Sequence, residues 1–301
     1  MRLPASMQVF ERGWLSSNNI LFTGRQQTAL VDSGYLSHAP QTLALVQQAL
    51  AGRSLDLLIN THLHSDHCGG NALLQQHYAC RTLIPIADTD AVAAWDEEAL
   101  TYAATGQQCA RFGFDAAIQH GEILQLGDMD WQVLAAPGHD PHSMILYCEQ
   151  EGILISADAL WENGFGVIFP ELEGESGFAE QAAILQVIRE LDPRLVIPGH
   201  GSPFGNVSAA LERAESRLDY LSADTRRNAR NAAKVMLAFI LLDRRQVKTS
   251  EVLRQLGSTR LIASSVRILD TSADVLIPEL ISELISAGVA RLDGDTLVSV
   301  R

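Results

Sequence analysis

The segment Thr61–Gly70, which reads THLHSDHCGG, places three histidines and an aspartate within six positions. Neutral imidazole and carboxylate are the natural ligands of Zn²⁺ and similar metal ions. His62 and His64 are two residues apart, and on a strand end or an extended loop that spacing directs both rings to one side. Asp66 and His67 follow at once. Neither core packing nor a solvated loop requires this combination. The segment therefore predicts a metal site in which one loop supplies ligands to two adjacent metal positions.

Further candidate ligands lie downstream, each at the end of an apolar run of strand length. His139 and His142 lie in APGHDPHSM, Asp158 ends ILISAD, and His200 ends LVIPGH. The carboxyl ends of strands are where α/β proteins build their active sites. Each of these histidines taken singly would be read as structural, but together with THLHSDH they predict one shared site. Gly69 and Gly70 are expected to let the backbone turn beneath that site and to start the next helix.

The remaining pattern interleaves strands with helices, which predicts a layered α/β fold with helices packed on sheets. Helices are expected over HAPQTLALVQQALAG, from near Gly69, from Asp88 to about Ala104, and over FAEQAAILQVIREL. The predicted strands are MQVFER, NILFTG, QTALVDSG, LDLLIN, CRTLIPI, EILQLGD, WQVLAAP, SMILYCE, GILISAD and RLVIPGH.

The charge of the chain, −14 in total, is unevenly divided. Residues 1–207 hold eight arginines, no lysine and 24 acidic residues, whereas residues 208–301 carry a net charge of +2. This break predicts a domain boundary near residue 207, between a main domain over 1–207, which holds all the candidate metal ligands, and a small, mainly helical domain over 208–301. An acidic main domain repels polyanions, which argues against nucleic acid as a partner.

The tail pattern is typical of a winged helix. The predicted helices are VSAALERAESRLDYLS, NAAKVMLAFILLDRR, TSEVLRQLG and SADVLIPELISELISAG, and VARLDGDTLVSV predicts a closing hairpin. The last helix carries acidic residues and no Lys or Arg, unlike a helix that faces phosphates. We expect the tail to cover the mouth of the site, or to form a homodimer contact through VMLAFILL. Its arginine groups are interpreted as solvated faces.

Compartment and redox state follow from features that the sequence lacks. No apolar run reaches the roughly 18 residues of a membrane span, and the first 20 residues lack the apolar core of a secretory signal. The four cysteines are scattered and form no paired framework, which suits small buried side chains in a reducing environment. We therefore expect a cytoplasmic location and no membrane contact.

The motifs THLHSDHCGG, PGHDPHS, SADAL and IPGHG, in that order, resemble the metal-binding signatures of the metallo-β-lactamase superfamily, and VDSG at 31–34 is similar to its early strand-end motif. The resemblance covers about residues 7–205. It implies an αββα sandwich with a metal pair, usually zinc, although iron or manganese is possible. It also implies two ligand sets with a shared carboxylate: His62, His64 and His139 for one ion, Asp66, His67 and His200 for the other, and Asp158 as the bridge.

Two residues are implied to act around the ligands. Asp32 would orient a ligand by hydrogen bonding. In the stretch DPHS, His142 stands where the superfamily more often has glycine, so the choice between His139 and His142 as ligand stays open; His139 is favoured, with His142 beside the ligands or the substrate.

The function predicted from the resemblance is a metal-dependent hydrolase. A hydroxide shared by two ions would attack an ester, thioester or lactone carbonyl, with Asp66 orienting it or collecting its proton. The segment after Asp158 offers Trp161, Phe165 and Phe169 with four glutamates and no Lys or Arg, which suits a small substrate that is not strongly anionic. The alternatives are a mononuclear iron sulfur dioxygenase, a nuclease or nucleic-acid-binding protein that uses the tail, and a binding module without catalysis.

Overall fold

The computed structural model describes residues 2–300 and contains two sheets that pack face to face. The first sheet has six strands in the order β1 to β6, of which β3 to β6 are parallel. Its strands are β1 Met7–Phe10, β2 Asn19–Thr23, β3 Thr28–Val31, β4 Leu57–Ile59, β5 Arg81–Pro85 and β6 Ala116–Ile118.

The second sheet has five strands in the order β11-β10-β9-β8-β7. They are β7 Ile123–Leu126, β8 Met129–Ala135, β9 Met144–Cys148, β10 Ile153–Ala157 and β11 Leu195–Pro198. Only the edge strand β11 runs parallel to its neighbour, because the helix that precedes it returns the chain to the same end of the sheet.

Alternating side chains of both sheets meet in the centre of the sandwich. Phe22 and Ile59 of the first sheet belong to one buried cluster with Trp131, Leu146 and Ile197 of the second. Successive side chains of a strand point to opposite faces, so the intervening residues face outward and must be covered by helices. This requirement produces the four layers.

Helices cover both outer faces. On the first sheet, α1 Ala39–Leu50 and α3 Asn71–Tyr78 bury Val46 and Leu74. On the second, α7 Phe178–Leu191 and α8 Val207–Ser222 bury Ile184 and Leu211. The layered α/β prediction is therefore confirmed. Short helices occupy the connections: α2 Ser65–Cys68, α4 Thr89–Ala94, α5 Tyr102–Thr105 and α6 Pro170–Glu173.

The tail forms a compact unit of four helices and a three-stranded sheet in the order β12-β14-β13. Its elements are α9 Thr225–Arg244, β12 Gln246–Lys248, α10 Thr249–Gly257, α11 Arg260–Leu269, α12 Ala273–Ser286, β13 Ala290–Asp293 and β14 Thr296–Ser299. The run VMLAFILL lies on α9, and most of its side chains are buried in a cluster that joins the tail to the sandwich.

Several element predictions were wrong in detail. The helix expected from Asp88 to about Ala104 is broken, with Trp95 and Thr101 in left-handed backbone conformations. The helix expected from near Gly69 is present and begins at Asn71; only the separate turn of helix before it, Ser65–Cys68, was not predicted. Strands β6 and β12 and helices α6 and α11 were not predicted, since each is short or mixes polar residues into its apolar pattern.

Within residues 2–300, no helix combines the length and the apolar character needed to cross a bilayer.

Candidate metal centre

The candidate ligands lie on four loops, each of which follows a strand. The loop after β4 carries His62 and His64, and the other loops carry His139, Asp158 and His200 after β8, β10 and β11. The two sheets of the sandwich bring these loops to one edge. Residues that are more than 130 positions apart in sequence therefore come within hydrogen-bonding distance, as His200 and Asp66 do.

The histidine-rich loop is fixed by its own backbone. His64 has an extended conformation and precedes α2, and α2 presents Asp66 and His67. Gly69 and Gly70 form the turn between α2 and α3, and Gly70 is the N-cap of α3, as expected; both have negative φ, so this turn does not require a left-handed glycine. Each instead allows close packing: a Cβ on Gly69 would lie 2.4 Å from the Leu36 nitrogen, and one on Gly70 would lie 2.5 Å from the Ser33 carbonyl oxygen.

The structure gathers the ligand atoms into three overlapping groups, each with its atoms within 4.8 Å of one another. The groups divide the residues as the family resemblance implied, with Asp158 in the middle group. They are His62, His64 and His139; His62, His67 and Asp158; and Asp66, His67 and His200.

Several of these side chains have buried polar atoms without a protein partner. His62 Nε2, His67 Nε2 and His200 Nδ1 are buried and have no hydrogen-bond partner among the described residues. His64 Nδ1 and His139 Nε2 lie 2.8 Å apart, and the pKa of each of these two rings is lowered. Buried nitrogens are normally paired. The donor set therefore fits divalent metal ions, which would use the lone pairs of His62 Nε2 and His67 Nε2.

Burial controls the protonation of the first group. It lowers the pKa of His62 well below the ordinary value, and the neighbouring His67 and His64 add to this effect. Burial and His64 lower the pKa of His139 to about 4. These rings are therefore neutral near pH 7, which is the form that binds a metal ion.

The second group is balanced by carboxylates. Burial alone would lower the pKa of His67, but Asp158 and Asp32 outweigh it and raise that pKa well above its ordinary value. Burial alone would raise the pKa of Asp158, but His67 and His200 hold it well below its usual range. Carboxylates thus supply negative charge where cations are expected.

Asp32 holds the histidine-rich loop through hydrogen bonds to Thr61 and His67. Its carboxylate accepts hydrogen bonds from the backbone nitrogen (2.9 Å) and hydroxyl (2.8 Å) of Thr61, and lies 2.8 Å from His67 Nδ1. It is buried and has a left-handed backbone φ of 57°. A strained conformation that is held by buried hydrogen bonds commonly marks a functional position.

The groups open into a cavity of about 110 Å³. The three aromatic residues predicted for a pocket, Trp161, Phe165 and Phe169, all line it. Trp161 also donates from Nε1 to Asp158 Oδ1 at 3.1 Å. The walls beside the candidate ligands are thus mostly apolar.

His142, considered as a ligand from the sequence, and Cys68, which directly follows His67, both lie outside the ligand groups. His142 Nδ1 is 2.7 Å from Asp88 Oδ1, and its side chain is 41% exposed. Cys68 is fully buried, with its sulfur 3.1 Å from the Tyr102 hydroxyl and 3.8 Å from the Cys109 sulfur. Burial raises the pKa of Cys68 well above the usual range, which leaves its thiol protonated.

The sequence interpretation missed several residues that line the cavity. Trp14, in the loop after β1, stacks on the His200 ring at a centroid distance of 5.6 Å. Arg217 of α8 and Met236 and Phe239 of α9 complete the wall, so part of the tail faces the candidate ligands. No local motif marks these residues, because tertiary packing alone brings the loop after β1 and the helices α8 and α9 to the site.

The chain matches the family model described as the metallo-beta-lactamase superfamily over residues 12–200. A hydroxyacylglutathione hydrolase of Bradyrhizobium sp. strain BTAi1 is 29% identical over 155 residues, which are 47% of this chain and 53% of that protein. The chain thus spans about half the length of that relative. An acyl-coenzyme A thioesterase of Homo sapiens is 27% identical over 218 residues, 65% of this chain and 77% of that protein.

Two solved structures resemble the whole chain in fold, including the tail. A metallo-beta-lactamase family protein from Thermus thermophilus has a TM-score of 0.59 and 18% identity, with 99% of this chain and 100% of that chain covered. A beta-lactamase domain protein from Burkholderia ambifaria has a TM-score of 0.60 and 18% identity, with 99% and 94% covered.

Proposed function

Because this chain belongs to the metallo-beta-lactamase superfamily, we propose that it is a dinuclear metal-dependent hydrolase that cleaves an ester, thioester or lactone bond, with thioesters the first class to test. The observation that carries this proposal is the set of three overlapping ligand groups with buried, unpartnered imidazole nitrogens. Similarity to a hydroxyacylglutathione hydrolase and to an acyl-coenzyme A thioesterase supports the choice of thioesters.

In this proposal seven side chains hold two divalent ions, zinc being the best match to nitrogen and carboxylate donors, with iron or manganese as alternatives. His62, His64 and His139 would hold one ion, Asp66, His67 and His200 the other, and Asp158 would contact both. Such a pair supplies an activated water and polarises the substrate carbonyl.

The other roles belong to the protein's own side chains. Asp66 lines the cavity and lies 3.1 Å from His200 Nε2, so its carboxylate would orient the attacking water or accept its proton. Asp32 would fix the tautomer and direction of His67. Trp161, Phe165 and Phe169 would surround the acyl group and limit access of bulk water.

The alternatives make different predictions. A sulfur dioxygenase would need one iron ion and open coordination positions and would consume oxygen, whereas three overlapping ligand groups favour two ions. A nucleic-acid-binding protein would show salt-dependent binding, which the net charge of −14 opposes.

The test combines metal analysis with a substrate panel of thioesters, lactones, β-lactams and phosphodiesters. We expect about two transition-metal ions per chain and hydrolysis of a thioester. His64→Ala should abolish turnover while the circular dichroism spectrum stays native. His77→Ala is the matched control, because His77 is an exposed histidine on α3 whose ring meets Gln47. Full activity in His64→Ala, or metal-free active protein, would contradict the proposal.

A further inference from the structure

A second pocket lies behind Arg217, between α8 and α9, and it is lined by cations. Its volume is about 510 Å³. We call it the cationic pocket and define it by Arg217, Arg226, Arg227, Arg230, Asn231 and Lys234. None of the described residues that line it carries a carboxylate. Five cationic side chains around one pocket stand out in a chain with 36 acidic and 22 basic residues.

Within the described part of the chain, ion pairs neutralise two of these cations. Arg230 lies 3.0 Å from Glu279 and 2.6 Å from Glu283, and Lys234 also pairs with Glu283. Arg226 and Arg227 donate from their side chains to backbone carbonyls, those of Leu269 and Tyr220. A carbonyl leaves the guanidinium charge uncompensated, so a net positive charge remains at the pocket.

Arg217 joins the cationic pocket to the cavity of the candidate metal centre, because it lines both. Its guanidinium carbon lies 5.6 Å from the centroid of the Phe165 ring. Its Nε is buried and has no hydrogen-bond partner among the described residues. A buried guanidinium donor without an acceptor is unfavourable unless a ligand supplies one.

Asn231 gives a second, independent indication. Its side-chain nitrogen is also buried without an acceptor among the described residues, and it lines the same pocket. Buried donors and uncompensated cations are complementary to a group that carries several acceptor oxygens and more than one negative charge. A phosphate group has both properties, whereas a carboxylate has only two oxygens and a single charge.

We propose that the cationic pocket binds a phosphate group of the substrate, at the end remote from the bond that is cleaved. This inference rests on the proposed function, since it places the scissile bond in the neighbouring cavity. It revises the expectation of a substrate that is not strongly anionic, because that expectation came from residues 159–178 alone. The apolar walls face the acyl group, and the charge of the substrate lies beyond Arg217.

The first experiment measures phosphate binding directly. Inorganic pyrophosphate is titrated calorimetrically into the metal-loaded protein and into the Arg226→Glu/Arg227→Glu variant. We expect the protein to show a site that the variant lacks, while any binding at the metal ions is common to both. Arg254→Glu, an exposed arginine on α10 outside this pocket, is the matched control and should bind like the unaltered protein.

The Asn231→Leu variant distinguishes loss of phosphate binding from loss of folding. It removes a buried donor that has no partner among the described residues, so it should not lower the melting temperature, yet it should weaken pyrophosphate binding by several fold. Equal pyrophosphate binding by the unaltered protein and by both pocket variants would overturn the inference.

The second experiment asks whether the phosphate belongs to the substrate. S-acetylpantetheine and S-acetyl-4′-phosphopantetheine differ by one phosphate. We expect kcat/KM to be at least about tenfold higher for the phosphorylated thioester, because its KM is lower. This preference should fall in Arg226→Glu/Arg227→Glu. It should not change in Arg254→Glu.

The outcomes separate the two proposals. Pyrophosphate binding without a preference for the phosphorylated thioester would overturn the assignment of the phosphate to the substrate. Failure to hydrolyse either thioester would instead count against the proposed function, and pyrophosphate binding would still decide whether the pocket takes phosphate.

Discussion

At the scale of single residues, one buried carboxylate outside the three ligand groups holds the histidine-rich loop by hydrogen bonds. Asp32 joins β3 to the histidine-rich loop, through both donors of Thr61 and through His67 Nδ1. Residues that hydrogen-bond a ligand histidine fix its tautomer and orientation, and their loss typically costs about 10- to 100-fold in metal affinity. Asp32 therefore links the geometry of the sheet to the proposed metal site.

Asp32→Asn is expected to weaken metal retention. Both oxygens of the Asp32 carboxylate face donors of Thr61 or His67, whereas the amide of asparagine has only one oxygen that can accept. We expect metal affinity to fall about 10- to 100-fold, measured by elemental analysis after dialysis against graded metal buffers. Asp56→Asn is the matched control: Asp56 accepts from the nitrogen and hydroxyl of Thr28 but lies outside the ligand groups. Unchanged metal affinity in Asp32→Asn would contradict the positioning role.

At the scale of elements, the acidic face of α12 has a partner inside the tail. Glu279 and Glu283 pair with Arg230 and Lys234 of α9, which accounts for two of the acidic residues on the last helix. Burial alone would raise the pKa of Glu283, but Lys234 and Arg230 outweigh it and lower that pKa. The α9–α12 contact is thus partly electrostatic.

Glu283→Gln should lower the free energy of unfolding by only about 0.5 kcal/mol at pH 7, because these charges are partly exposed and screened by solvent. The folded pKa of Glu283 is depressed, so its contribution is fully present above the unfolded value of 4.5 and is lost as the pH falls through the folded value. Urea unfolding at several pH values checks this. The control is Glu212→Gln, an exposed position; a difference that grew below pH 4 would refute the ion-pair explanation.

The grouping of the candidate ligand loops was predictable from sequence because each of these loops follows an apolar strand, and strand ends meet at one edge of a sandwich. The charged tail was not predictable in this way. Arg226, Arg227 and Arg230 were interpreted as a solvated face, since helical spacing does not show that Arg217 of the preceding helix lies opposite them. Helix α11 was missed because Ser264 and Ser265 interrupt its apolar pattern, although both are buried.

At the scale of the whole molecule, the tail and the sandwich share one hydrophobic cluster. Leu15, Tyr35, Val167 and Leu172 of the sandwich pack with side chains of α9 to α12. Tyr35 and Phe239 meet edge to face at a centroid distance of 4.9 Å. The boundary near residue 207 stays a prediction, and α8 packs on α7 of the sandwich. The tail therefore forms a wall of the cavity, and its second role, as a separate folding unit, stays a prediction.

Removal of residues 224–301 separates these two roles. All seven proposed ligands precede the cut, so the shortened chain should still bind about two metal ions, as measured by elemental analysis. It loses the cavity wall formed by Val235, Met236 and Phe239, and kcat/KM for the best substrate should fall at least about tenfold because the acyl group is less well positioned. Phe239→Ala in the full chain tests the wall without exposing the rest of the cluster, and it should lower kcat/KM in the same direction. Loss of the metal ions together with the tail would contradict this division, since it would mean that the ligand loops cannot keep their geometry without the helices that cover them.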